Sequence, residues 1–101
     1  MSTILDRAQI FEVLRQILVE ALSVAAAEVR PEARVIEDLG AESIDLLDIR
    51  FRVEKAFDLR ITAQDLTTAF GNQLTPEEFR LRFTAGAMCD YVHAQLEQER
   101  D

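Results

Sequence analysis

The sequence predicts a single all-helical domain over residues 1–101, a bundle with one long connection after its first helix. Two observations carry the prediction. Apolar residues recur at spacings of three and four along most of the chain, with polar residues on the remaining circumference. The one alternating stretch, Phe57-Asp58-Leu59-Arg60-Ile61, finds no companion strand and reads as an extended loop.

Thr3 with Asp6 three residues on resembles a capping box, so Ser2 or Thr3 is expected to cap a first helix over residues 4–20. Ile4, Ala8, Phe11, Leu14, Leu18 and Leu22 trace its apolar face. Ser23–Gly40 loses that periodicity and contains Pro31, which biases Arg30 away from helix. A long connection is expected there, pinned by Leu22, Val24, Val29, Val35 and Leu39.

A second helix should begin within one residue of Ser43. It carries one apolar line at Ile44, Leu47 and Phe51 and another at Leu46, Ile49, Val53 and Phe57. So wide a sector suits a central helix, and Asp45 and Asp48 in its first turns complement the helix dipole. Thr62 and Asp65 signal a short helix that Gly71 would close. Thr75-Pro76-Glu77-Glu78 is the sharpest helix start in the chain: an N-cap residue, proline at the first position and glutamate at the third. A last helix is expected from Thr84 to about Gln98, with Ala87, Met88, Tyr91, Val92 and Leu96 inward and Gly86 weakening its first turn.

Composition narrows the function. Nineteen acidic against eleven basic residues leave a formal charge of −8 and a pI near 4.6, which argues against a nucleic-acid ligand and for basic partners. An apolar content of 49% is too high for disorder. Cys89, the single cysteine, excludes a disulfide scaffold. With no secretory signal or membrane span in sight, that thiol suits the cytoplasm.

Catalytic constellations are poorly supplied. Cys89 and His93 share a helix face at i, i+4, the spacing of a conceivable nucleophile pair. Yet Cys89 falls among Ala87, Met88 and Val92 and is expected to be a small buried hydrophobe. One histidine and one cysteine cannot assemble a usual zinc site. Glu37-Asp38-Leu39-Gly40-Ala41-Glu42 lacks the ligand spacing of a calcium loop, and no metal is expected. Ser43 is the residue of interest. At a helix entrance its hydroxyl either caps the helix or stands outward as an attachment point, where a phosphate would meet the positive helix end.

Asp38-Leu39-Gly40-Ala41-Glu42-Ser43-Ile44 resembles the Asp-Leu-Gly-Ala-Asp-Ser-Leu signature of the acyl carrier proteins. Leu22-Ser23-Val24, Val29, Pro31 and Ala33 are similar to that family's first connection, and Val53-Glu54-Lys55-Ala56-Phe57-Asp58-Leu59-Arg60-Ile61 to its Leu-Glu-x-x-Phe-Asp-Ile-x-Ile segment. The stretch from Phe83 to Val92 resembles the start of its last helix. The resemblance implies an acyl-carrier-protein-like four-helix bundle with a long first connection and an extended or split short third helix. It implies a monomeric, non-catalytic carrier in which Ser43 receives 4′-phosphopantetheine from coenzyme A through a phosphopantetheinyl transferase. The thiol of that arm would hold an acyl chain as a thioester and deliver it between enzymes of fatty acid, lipid or polyketide-type synthesis. A peptidyl or aryl carrier, and an unmodified helical interaction module, are the alternatives.

Residues 32–48 hold six acids (Glu32, Glu37, Asp38, Glu42, Asp45 and Asp48) against Arg34 alone, a local charge of −5 around the serine. Such a patch would steer basic enzyme surfaces. The docking residues expected are Asp38, Glu42, Ile44, Asp45, Asp48 and Phe51, although Ile44 and Phe51 fit a core equally well. The chain departs from the family in three ways. Glu42 and Ile44 replace aspartate and leucine beside the serine. Arg50 and Arg52 either interrupt the acidic patch or pair with Glu54 and Asp48. Finally, 21 residues separate Ile61 from Phe83, more than the family's third helix needs. Phe70, Leu74, Phe79 and Leu81 in that stretch either anchor a longer loop or reshape the acyl-binding interior.

Overall fold

The computed structural model describes residues 6–66 and 75–98. In chain order it contains α1 (Arg7–Leu22), a 3-10 turn (Ala26–Glu28), α2 (Ser43–Phe57), α3 (Ala63–Leu66), α4 (Pro76–Arg82) and α5 (Ala85–Gln98). Among the described residues there is no strand, only one isolated antiparallel bridge between Arg34 and Thr84. The architecture is the expected all-α bundle with a long first connection, and its third position is filled by two short helices.

α1 starts later than the sequence suggests. Its N-cap is Asp6, whose carboxylate accepts from the Gln9 N–H at 2.8 Å while the Gln9 side chain accepts from the Asp6 N–H at 3.0 Å. The caps expected at Ser2 or Thr3 lie outside the described residues. The buried face is also rotated. Ile10, Leu14, Ile17 and Leu18 are the buried positions, whereas Ala8 is exposed. The reason is that α1 packs against both α2 and α5, so two overlapping i, i+4 lines are needed and the larger side chains take them. Each fully buried Ile or Leu contributes roughly 1.5–3 kcal/mol.

The long connection is stitched to the start of α5. The N–H groups of Ala85 and Gly86 donate to the carbonyls of Ala33 (2.9 Å) and Pro31 (2.8 Å), and Val35 N–H donates to Phe83 at 2.9 Å. Val29, Val35 and Leu39 are buried beneath it, and Arg15 Nε ties it to α1 through the Val29 carbonyl at 3.2 Å. At Gly86 a Cβ would lie 2.9 Å from the Pro31 oxygen. The glycine that weakens the first turn of α5 is therefore what allows the connection to lie against it.

After α2, Asp58 adopts the left-handed conformation at the C-cap and the chain continues to Ile61 without regular secondary structure. Leu59 and Ile61 are buried, and Ile61 N–H is held by a Glu54 carboxylate oxygen at 2.7 Å. α3 is capped by reciprocal bonds between Thr62 and Asp65, both 3.0 Å. Phe70, Gly71 and Leu74 lie outside the described residues. α4 opens on the expected Thr75 cap, which accepts from Glu78 N–H at 3.1 Å while a Glu78 carboxylate oxygen accepts from Thr75 N–H at 2.9 Å.

Candidate functional site

The loop leading into α2 is folded around Asp38. Its carboxylate accepts from the Arg34 backbone N–H at 2.8 Å and from the Arg34 guanidinium at 3.1 and 3.0 Å. The guanidinium and the backbone N–H hold the carboxyl below its ordinary pKa. Gly40 at φ +78° makes the turn that follows, and Ala41 N–H closes it on the Val35 carbonyl at 3.1 Å.

Ser43 is the first residue of α2 and is exposed. The N-cap position belongs to Glu42, whose N–H is satisfied by the Asp45 carboxylate at 2.9 Å. Among the described residues no side-chain hydrogen bond engages the Ser43 hydroxyl. Of the two roles open to this serine, capping is taken over by its neighbours, and the hydroxyl stands free at the helix N-terminus, where an anionic group is favoured.

Two faces of α2 diverge from there. Ile49, Val53 and Phe57 are buried, while Ile44, Leu47 and Phe51 are 73%, 50% and 55% exposed. These three follow i, i+3, i+7 spacing and form an outward apolar ridge running from Ser43, so Ile44 and Phe51 are surface and not core. Glu42 is exposed beside them, with Asp45 and Asp48 half-buried.

The acidic patch is weaker than its sequence count. Asp38 is bound to Arg34 (3.0 Å), Asp48 to Arg52 (3.1 Å), Glu37 to Arg80 (3.7 Å) and Glu32 to Arg30 (3.8 Å). Three of these cations come from outside the 32–48 window. Arg52 pairs with Asp48 as expected and also reaches Glu20 at 3.4 Å. Among the described residues Arg50 makes no ion pair with Glu54. It lies over the Phe51 ring with its guanidinium carbon 5.7 Å from the centroid, and its Nε is buried without an acceptor.

Along α2, from Leu46 onward, a cavity of about 110 Å³ opens inside the bundle. From α2 it is lined by Leu46, Ile49, Val53 and Arg50. Ile61, Phe79 and Phe83, with Met88, Tyr91 and Val92 of α5, complete the lining. Leu46 and Val53 sit about 4.5 and 15 Å along the helix axis from Ser43, at about 1.5 Å per residue. Burial raises the Tyr91 phenol pKa, with help from the negative charges of Asp65 and Glu54. Of the two roles open to Phe79, the structure places it in the cavity lining, while the lining roles of Phe83 and Arg50 were missed by sequence reasoning. Only the i, i+4 spacing of the two phenylalanines hints at that of Phe83.

The cysteine and histidine do not form a pair. The Cys89 thiol is buried, donates to the Arg7 carbonyl at 3.3 Å, and has its pKa pushed up by burial. A raised thiol is a poor nucleophile. His93 turns to Glu97, 3.9 Å away. Among the described residues no cluster of histidine, cysteine or acids could hold a metal ion, and no helix is long and apolar enough to cross a membrane.

A family model described as "Phosphopantetheine attachment site" matches residues 12–73, which include the Asp38–Ile44 loop and all of α2. An acyl carrier protein of Helicobacter hepaticus is 42% identical over 55 residues, covering 54% of this chain and 72% of the relative. One of Solidesulfovibrio magneticus is 41% identical over 54 residues, covering 54% of this chain and 69% of the relative. The exposed serine at the start of α2, with its uncommitted hydroxyl, and the apolar cavity along the same helix fit the prosthetic group that such a domain carries. With more than half of its length matched, this chain belongs to the acyl carrier protein family, whose prosthetic group is 4′-phosphopantetheine.

Proposed function

We propose that the chain is a carrier whose 4′-phosphopantetheine arm is attached at Ser43, and that it delivers acyl groups between enzymes of fatty acid, lipid or polyketide-type synthesis. The observation that carries the site is the Ser43 hydroxyl, exposed and outside any capping bond while Asp45 satisfies the Glu42 N–H. Attachment is the work of a phosphopantetheinyl transferase using coenzyme A, with the Ser43 oxygen taking the phosphopantetheinyl phosphate as a phosphodiester and 3′,5′-adenosine diphosphate leaving. When bound, the arm supplies a thiol that holds an acyl group as a thioester. The protein itself contributes position and shelter, not catalysis: the helix N-terminus favours the phosphodiester's negative charge, and the cavity along α2 receives part of the chain. We place the carrier in the cytoplasm as a monomer.

Partner enzymes dock on the outward face of α2. Ile44 and Phe51 supply apolar contact, framed by Asp38, Glu42, Asp45 and Asp48. Because Arg34 and Arg52 already engage Asp38 and Asp48, the apolar ridge carries more of the contact than the net charge suggests, and the acids set orientation and approach.

Intact mass after incubation with coenzyme A and a promiscuous transferase tests the reading. One added phosphopantetheine is expected, and none in Ser43→Ala. Ile44→Ser and Phe51→Ser should slow loading severalfold without preventing it. Wild-type protein that gains no mass with several competent transferases is an interaction module and not a carrier.

A further inference from the structure

The cavity along α2 is lined in part by rings from the segment that sets this chain apart in length. Phe79 and Phe83 stack with centroids 5.0 Å apart and ring planes inclined by 16°, and both line the cavity together with Leu46, Ile49 and Val53 of α2. Their segment is fixed at both ends. Thr75 and Glu78 cap α4 reciprocally, Phe83 N–H donates to Phe79 at 2.9 Å, and the Phe83 carbonyl accepts from Val35 N–H at 2.9 Å. Arg80 adds an ion pair to Glu37 at 3.7 Å. α4 also lies beyond residue 73, where the family match ends. The pair is a held wall, not an anchor for a slack loop.

We propose that Phe79 limits acyl chain length, making this a short-chain carrier. The proposal rests on attachment at Ser43. A cavity of about 150 Å³ accepts benzene, with six carbons, so about 110 Å³ accommodates about four. Close packing leaves little slack for more. A longer chain either displaces the Phe79 ring from Phe83 or leaves its excess carbons in water.

The test uses intact protein loaded from straight-chain acyl-coenzyme A donors of four, six, eight and ten carbons. Mass spectrometry first confirms loading. Resistance of each thioester to hydroxylamine is then timed. Each sheltered methylene should add about fourfold protection, so wild type should gain up to about four carbons and then level off. Phe79→Ala removes the ring and should move the plateau out by about three carbons, raising protection of the eight-carbon chain at least tenfold. Phe79→Leu keeps more of the packing and should move it by one or two. Protection that keeps climbing to ten carbons in wild type overturns the proposal. So does a plateau unmoved in a folded variant, with Phe79→Leu deciding if Phe79→Ala does not fold. Absence of any loading overturns the carrier reading and this proposal together; normal loading with the wrong length profile overturns this proposal alone.

Discussion

Replacing Gly86 by alanine sets two effects of opposite sign against each other. In a helix interior, glycine to alanine is worth about 1 kcal/mol in favour of alanine. Here the new Cβ would meet the Pro31 carbonyl oxygen at 2.9 Å and its carbon at 3.4 Å. Both neighbours are backbone, held by the Gly86-to-Pro31 bond at 2.8 Å and the adjacent Ala85-to-Ala33 bond at 2.9 Å. Relieving the contact requires the connection to move off α5. That costs about 1–3 kcal/mol in strain and about 1 kcal/mol for a weakened hydrogen bond. After the propensity gain is subtracted, Gly86→Ala should destabilise by roughly 1–3 kcal/mol. Urea unfolding followed by circular dichroism reads this directly: with a slope near 1 kcal/mol/M, the midpoint should fall by about 1–3 M. A midpoint equal to or above wild type would refute the reasoning, because the connection would then not be tightly seated.

Other expectations follow from the site. Arg50→Met keeps a long apolar stem but removes a buried donor that has no acceptor; stability should be unchanged or up to about 1 kcal/mol higher, and a loss above that would show the guanidinium over Phe51 to be stabilising. Asp38, Asp65 and Glu78 all have folded pKa values below their ordinary ones, each through hydrogen bonds to a named partner: Arg34, Thr62 and Thr75. Their contribution is therefore present above the unfolded value, about pH 4, and is lost as pH falls through the lower folded values. Melting temperature should drop below about pH 4, and Asp38→Asn should lose stability at pH 7 while showing a shallower acid decline.

Much of the architecture is written locally. Thr75-Pro76-Glu77-Glu78 starts α4 because its cap and its third-position glutamate satisfy each other within four residues. Gly40 turns at φ +78° because a side chain there would be strained. The first helix was harder to read. Leu14 and Leu18 belong to either reading of its apolar face, but Ile10 and Ile17 compete with Ala8 and Phe11, and only the simultaneous approach of α2 and α5 selects the first pair.

The sequence by itself determined the helices, their order and the serine at the mouth of α2, because caps, turns and periodicity act over a few residues. Tertiary structure decided what lies around that serine. It turned Ile44 and Phe51 outward, tied Glu37 to Arg80 and Glu20 to Arg52, and brought Phe79 and Phe83 into the lining of the cavity that α2 shares with α5. Each of these depends on residues far apart in the chain that meet only when the bundle closes, so spacing along the sequence carries no record of them.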